Sequence, residues 1–284
     1  MIHRISASFP SSLLFVLVCL AITFHAGESF LPSTPSHGRL SRPLRGRRVS
    51  TARLAAQEEQ PAATATRDSL LVVWDLDETL ICSRERYPIE RSTRRLEDPE
   101  EPLPDASQWK PLPEGAPVSD FSVDLVQQYD DKTRWVERFD IFLRPGAQEL
   151  LQWCKDQGYE QALFTTAIQL YADNILAHPT LDPSGELLPR RLYRGDMDGY
   201  SYKSLARLRP CLKRAVLIDN ARRYLTEENG IGVPDFVPKW APSIPEENDA
   251  LKSLLTELDE LDDVRPRLKE LWKEGRFECG RRGD

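Results

Sequence analysis

Three short, continuous apolar runs in this chain each stop at polar residues. "LLVVW" gives way to Asp75 and Asp77, "ALF" to Thr165 and Thr166, and "AVLI" to Asp219 and Asn220. Apolar runs without alternation mark strands buried on both faces, as in parallel sheets. Segments of helical character lie between and after them. "RPGAQELLQWCKDQG" puts Leu150, Leu151 and Cys154 on one face, with Pro145 at its start and Gly158 past its end. "IQLYADNILAH" reads as a second helix, and Leu251, Leu254, Leu255, Leu258 and Leu261 form a core-facing stripe near the C-terminus. Alternating strands and helices predict an α/β fold whose mostly parallel sheet is covered on both faces. Ligands of such sheets bind beyond the carboxyl ends of the strands, where the three polar tips converge.

Two stretches depart from this alternation. Arg84 to Pro117 is rich in proline and acid, with little periodic hydrophobicity, and is expected to be a loose surface insert. "DFSVDLVQQYDDKTRWVERFDIFLR" reads as a β-hairpin turning at Asp130, Asp131 and Lys132. Phe121, Trp135 and Phe139 on it are candidates for lining a peptide groove, with ordinary packing as the alternative.

The N-terminal region differs from the rest. "SLLFVLVCLAITF", residues 12–24, is an apolar block behind His3 and Arg4. About a dozen apolar residues suit a secretory signal, whereas a membrane span needs about 20. Residues 1–29 are therefore expected to be a signal peptide. From Phe30 to Gln57 the chain holds six arginines, many Ser, Thr and Pro, and no acid, so residues 30–60 read as a transit-peptide-like segment. With Phe30 at the junction, the two together resemble the bipartite leaders of complex algal plastids. A plain signal peptide followed by a basic arm is the alternative. The expected address is a plastid reached by the secretory route, with no stable transmembrane span in the mature form. A mitochondrion, or an endoplasmic or nuclear membrane holding residues 12–24 as an uncleaved anchor, are the other destinations. Residues 68–275 are assigned to one domain, and 276–284 to a tail.

Charge and scarce residue types exclude several functions. Beyond residue 56 the chain carries 31 basic and 44 acidic residues, a net of −13. Such an acidic body argues against sequence-independent binding to nucleic acid or anionic membrane. Cys82, Cys154, Cys211 and Cys279 are widely spaced without a C-x-x-C pair, so neither a disulfide framework nor a zinc site is expected. His178 is the one histidine outside the leader, at a predicted helix end where it suits the dipole. A Ser-His-Asp triad or a histidine-ligated metal centre would rest on that residue alone. No cysteine is followed six positions later by arginine, which a cysteine-based phosphatase needs. Carboxylates, threonine and lysine are left to carry the chemistry.

Residues two apart in an extended segment share a side, so Asp75 and Asp77 can face one pocket while Leu76 enters the core. Two carboxylates about 5 Å apart repel by about 3 kcal/mol at an effective dielectric near 20. That cost points to a cation or a reaction. Turn chemistry or helix capping is the alternative for "DLDET" taken alone.

The string is not alone. "DLDETL", "LFTTA", "YSYKSL" and "VLIDN" stand in the order and spacing of the haloacid dehalogenase superfamily. Together with "FLRPG", "NGIGVPDFVPKW" and "LDELDDVRPRL", they most resemble its RNA polymerase C-terminal-domain phosphatases and the related NLI-interacting-factor-like small phosphatases. The resemblance covers about residues 69–272. It implies a Rossmann-like three-layer sandwich with a small β-hairpin insertion after the first motif. It also implies a Mg²⁺-dependent phosphomonoester hydrolase, acting on phosphoserine or phosphothreonine in proteins through an aspartyl-phosphate. By the same resemblance, Asp75 is the nucleophile and Asp77 the acid and then the base. Thr165 binds phosphate, with Thr166 its rival, and Lys203 offsets the charge of phosphate and of Asp75. Asp75, the Asp77 backbone carbonyl and Asn220 hold Mg²⁺, with Asp219 supporting them. The insert, longer than in the small phosphatases, bears on substrate choice.

Two other readings stand beside this one. A mitochondrial inner-membrane translocase subunit uses a domain of this family to bind presequences, and a membrane-anchored phosphatase uses it for catalysis at a membrane. A small-metabolite phosphatase is a further member of the same superfamily.

Overall fold

The computed structural model describes residues 67–276 apart from 99, 129, 200, 201, 227 and 239–245. The signal peptide expected over 1–29, the transit-like segment over 30–60 and the tail beyond residue 276 lie outside the described residues. Among the described residues, no helix is long and apolar enough to cross a membrane.

Numbered along the chain, β1 (Leu71–Trp74), β6 (Glu160–Phe164), β7 (Arg190–Leu192), β8 (Ala215–Asp219) and β9 (Gly230–Gly232) form one parallel sheet in the order β7-β6-β1-β8-β9. The three apolar runs are its three central strands. Pairing of Trp74 with Leu163 on one side and Ile218 on the other sets Asp75 level with Phe164 and Asp219. Alternation along β1 sends Val72 and Trp74 to one face and Leu71 and Val73 to the other. All four are buried, and full burial of such a side chain stabilises by about 1.5–3 kcal/mol.

Four helices cover the first face: α1 (Ala147–Asp156), α2 (Gln169–Leu176), α3 (Glu246–Asp259) and α4 (Arg265–Lys273). Leu150, Leu151 and Cys154 of α1, Ile175 of α2, Leu255 and Leu258 of α3, and Leu268 and Leu271 of α4 enter one core with Val72 and Trp74. Helix α1 stops where Gly158 takes a left-handed φ of 78°, the usual closing position for a glycine. The second face has a thinner cover. Leu205, Leu212 and Tyr224, each on a single 3-10 turn, pack over Leu71, Val73 and Phe164. The stretch between β7 and β8 holds Gly195, Gly199 and Pro210, and its described residues form short 3-10 turns, with Pro210 between the last two, instead of an α-helix. The expected three-layer arrangement stands, with unequal outer layers.

The β-hairpin insertion is larger than expected. The hairpin strands β4 (Phe121–Gln128) and β5 (Arg134–Leu143) pair along their length, and β2 (Ile81–Arg86) and β3 (Arg95–Leu96) lie in succession on the other edge of β5. The result is a four-stranded antiparallel sheet. Accordingly, the segment 84–117 is not the loose insert its composition predicts. Leu96 and Trp109 are buried against Val136, and backbone bonds join Ile89 to Gln108 and Lys110 to Tyr87 at 2.9 and 2.8 Å. Ion pairs such as Arg94–Glu85 at 2.6 Å and Arg84–Asp140 at 3.1 Å supply the rest. Phe121 and Phe139 pack against the main core, while Trp135 is 37% exposed. His178 directly follows the C-terminal end of α2, as expected. Its ring stacks on Phe121 at 3.7 Å and 2°, and its Nδ1 lies 2.8 Å from Thr180 Oγ1.

Candidate active site

The sheet ladder runs one residue past β1, where Asp75 N donates to Ile218 O at 2.9 Å. The chain then turns sharply. Leu76, fully buried, accepts from Leu80 N at 2.8 Å. Glu78 takes a φ of 60°, the one positive value outside glycine among the described residues, a conformation costing about 1–3 kcal/mol. Arg144, of "FLRPG", holds this turn. Its guanidinium donates to the carbonyls of Thr79 (2.6 Å), Glu78 (3.1 Å) and Pro234 (2.6 Å) and pairs with Glu247 at 2.9 Å.

Because β1 and β8 are in register, Asp75 and Asp219 end side by side, and Lys203 joins them. Its Nζ is 2.7 Å from Asp75 Oδ1 and 2.6 Å from Asp219 Oδ2, with the Tyr224 ring 4.9 Å away. Lys203 is only 1% exposed. Burial works against its charge, but the two carboxylates outweigh it and hold its pKa above the usual lysine value. Asp219 is pushed up to about 7, by burial first and then by the charge of Asp75. Two carboxylates and one ammonium leave an excess of negative charge in this buried cluster.

Asp77, half-buried, accepts a 2.7 Å hydrogen bond from Tyr171 Oη of α2. Burial raises its pKa to about 6; the tyrosine bond opposes the rise and Asp75 adds to it. Burial also raises the pKa of Tyr171 well above the usual phenol value, so the tyrosine is the donor. The Tyr171 ring meets the edge of Phe139 at 5.3 Å, linking the antiparallel sheet to the site.

Asn220 joins the cluster through Thr79. Thr79 Oγ1 lies 3.3 Å from Asp75 Oδ2 and 3.1 Å from Asn220 Oδ1, and accepts from Asn220 N at 3.1 Å. Asn220 Nδ2 donates to Glu78 Oε2 at 3.0 Å and Asp235 Oδ1 at 2.9 Å. Thr165 and Thr166 occupy the tip of the neighbouring β6. Thr165 is fully buried, and its Oγ1 accepts from Ala167 N at 3.1 Å, which leaves the hydroxyl proton for another acceptor. The half-buried Thr166 accepts from Arg194 Nε through its carbonyl at 2.7 Å.

Asp75, Lys203 and Asp219 are thus in direct contact, and Asn220 is one hydroxyl away. Asp77 is fixed from the helix side, and the threonine pair borders the group on the next strand. Tyr171, Glu78, Thr79, Arg144 and Asp235 escaped sequence reasoning as site residues. Glu78, Thr79, Arg144 and Asp235 lie inside the strings "DLDETL", "FLRPG" and "NGIGVPDFVPKW" that carry the resemblance, whereas Tyr171 lies in a predicted helix outside any of them. Among the described residues, no group of three or more His, Cys, Asp or Glu forms a metal cluster. The expected ligands are of another kind: a carboxylate, a carboxamide oxygen and a backbone carbonyl. Oxygen donors with surplus negative charge suit a hard divalent cation such as Mg²⁺, so the residues present fit that ion.

The family model described as NLI interacting factor-like phosphatase matches residues 70–265. No curated protein matches the chain. Among solved structures, Fcp1, an essential RNA polymerase II CTD phosphatase, is 23% identical with a TM-score of 0.43, over 75% of this chain and 55% of its own. Fission yeast Fcp1 bound to beryllium fluoride is 20% identical with a TM-score of 0.41, over 76% of this chain and 58% of its own. The chain spans little more than half the length of these structures.

Proposed function

The chain belongs to the NLI interacting factor-like phosphatase family, and on that premise we propose that it hydrolyses phosphoserine or phosphothreonine in proteins with Mg²⁺ as cofactor. The observation that carries this reading is the fully buried Lys203 held at 2.7 and 2.6 Å between Asp75 and Asp219. An ammonium placed so deep has a use when it must meet incoming negative charge beside a nucleophile.

In the proposed reaction an Asp75 carboxylate oxygen attacks phosphorus, forming the acyl-phosphate as the phosphorus–oxygen bond to the substrate breaks. Asp77, with its pKa raised to about 6, passes its proton to the departing serine or threonine oxygen. As a carboxylate it then takes a proton from the water that hydrolyses the acyl-phosphate, returning Asp75 and releasing inorganic phosphate. Thr165, with Thr166 beside it, donates to a phosphoryl oxygen, and Lys203 offsets the charge on phosphate and Asp75 throughout. Asp75, the Asp77 carbonyl and Asn220 would hold Mg²⁺, with Asp219 in support. When bound, the ion withdraws charge from the phosphoryl group and relieves repulsion between it and the carboxylates.

Phosphate release from phosphopeptides by the purified protein with Mg²⁺ tests the proposal. We expect release that disappears in Asp75→Asn; undiminished release in that variant would overturn the assigned nucleophile. The leader reading carries over as a proposal as well: residues 1–60 direct the protein to a plastid. A fluorescent fusion of those residues that lights mitochondria or the nuclear envelope would refute it.

A further inference from the structure

We propose that Glu78 and Asp235 are positioning residues for Asn220, which turn its carboxamide oxygen toward the cation and make an amide, not a carboxylate, the required group at that position. The inference rests on the cation site proposed above and adds a reason for its unusual ligand.

Asn220 Nδ2 donates to Glu78 Oε2 at 3.0 Å and to Asp235 Oδ1 at 2.9 Å. Each of its two N–H protons therefore has its own acceptor. Both acceptors are carboxylates, which when ionised only accept, so flipping the amide would set its oxygen against two carboxylate oxygens. The orientation is chosen by the partners and does not depend on telling nitrogen from oxygen. The remaining atom, Oδ1, is left facing Thr79 Oγ1 at 3.1 Å, and that hydroxyl lies 3.3 Å from Asp75 Oδ2. The single side-chain acceptor of Asn220 thus meets the same hydroxyl that the Asp75 carboxylate meets.

The two carboxylates are themselves held by one clamp. The carbonyl of left-handed Glu78 accepts from Phe236 N at 2.8 Å and from Arg144 Nη2 at 3.1 Å, while Arg144 Nη2 also donates to Pro234 O at 2.6 Å. The residues on both sides of Asp235 are thus tied, directly or through Arg144, to Glu78. The gap between the carboxylates is set by backbone bonds, and the amide bridges it.

An aspartate is ordinarily the stronger ligand for a hard divalent cation, because charge adds to affinity. Here it would lose both donor contacts and face two like charges within hydrogen-bond distance. The geometry therefore predicts an inverted result: Asn220→Asp, nearly isosteric and more negative, binds the cation less well.

Calorimetric titration of Mg²⁺ into the full-length protein tests this without reference to turnover. Wild type should bind, and Asp75→Asn should bind more weakly; no binding by wild type, or unchanged binding in Asp75→Asn, overturns the cation site itself and the inference with it. Given that site, Asn220→Asp should raise the Kd about 10-fold or more, the range for lost ligand-orienting partners. The triple variant Glu78→Gln/Asp235→Asn/Asn220→Asp, which exchanges donors and acceptors at both contacts, should recover most of the affinity. Asp235→Ala, which frees the amide to turn without adding charge, should weaken binding by a smaller factor and serves if Asn220→Asp does not fold. Affinity equal to or above wild type in Asn220→Asp, no recovery in a folded triple variant, or an unchanged Kd in Asp235→Ala would each overturn the positioning role while leaving the cation site standing.

Discussion

Tyr171 on α2 donates a 2.7 Å hydrogen bond to Asp77 Oδ1, so the proposed proton donor is aimed by an uncharged side chain. Replacing Tyr171 with Phe removes the bond and raises the pKa of Asp77 further, since that bond opposes the rise. Proton donation matters most when the leaving oxygen is a poor leaving group, and general acid catalysis is worth about 10²–10⁴-fold. We expect kcat for a phosphoserine peptide to fall about 10-fold, with under about 3-fold loss for an aryl phosphate whose phenolate leaves unaided. Equal losses on both substrates would show that Tyr171 serves only the fold.

Metal-free protein should lose stability as pH rises from about 4 to 7. Asp77 and Asp219 have folded pKa values of about 6 and about 7, both raised first by burial. The folded state thus binds more protons than the unfolded chain in this window, and the unfolding free energy falls with rising pH. For Asp77 alone the span corresponds to about 3 kcal/mol. Carboxylates with lowered pKa, such as Asp263, act with the opposite sign but below this range. Thermal melts in EDTA at pH 5 and pH 8 check the slope, and a melting point that rises toward pH 8 would contradict it. Mg²⁺ should raise the melting temperature more at pH 8 than at pH 5.

Lys203→Met keeps most of the side-chain volume but strands Asp75 and Asp219, both buried, without their cation. Removing one partner of a buried ion pair costs about 3–5 kcal/mol. The loss should be smaller at pH 5, where Asp219 with its pKa near 7 takes a proton instead. Calorimetric unfolding at the two pH values tests this, and a pH-independent penalty would count against it. Phosphatase activity should vanish at both.

Arg144→Lys retains a charge for Glu247 but not the fork that reaches the carbonyls of Glu78, Thr79 and Pro234. Each carbonyl left without a donor costs about 1–3 kcal/mol if it stays buried. We expect a folded protein with a lower melting temperature and a kcat reduced at least about 10-fold, because the turn carrying Asp77 relaxes. Unchanged kcat at a lowered melting temperature would confine Arg144 to stability.

What the sequence revealed and what it hid divide along physical lines. The central strands and their polar tips were legible because an apolar run ending in Asp or Thr is a local pattern. Lys203 carries no such pattern; without the resemblance it is one lysine in a polar stretch, and its burial makes sense only once β1 and β8 bring two carboxylates to it. The antiparallel sheet was half-hidden because β2, "ICSRER", reads as charged surface. Its Arg84 finds Asp140 across the sheet, a partner 56 residues away in the chain. Tyr171 and Asp235 were missed for the same reason, since each acts on a residue from a different segment.

β1 is apolar on both sides, so hydrophobicity by itself tells its two faces apart only weakly, and its register rests on shape and on polar partners such as Gln161, which accepts from the Trp74 indole at 3.1 Å. Its alignment needs a marker that tolerates no offset, and the ammonium wedged between Asp75 and Asp219 is one: shift the strand and a naked ion is sealed inside. The group proposed to neutralise phosphate therefore also acts as a stop for threading the sheet, so a chain that assembles out of step is penalised before any substrate arrives.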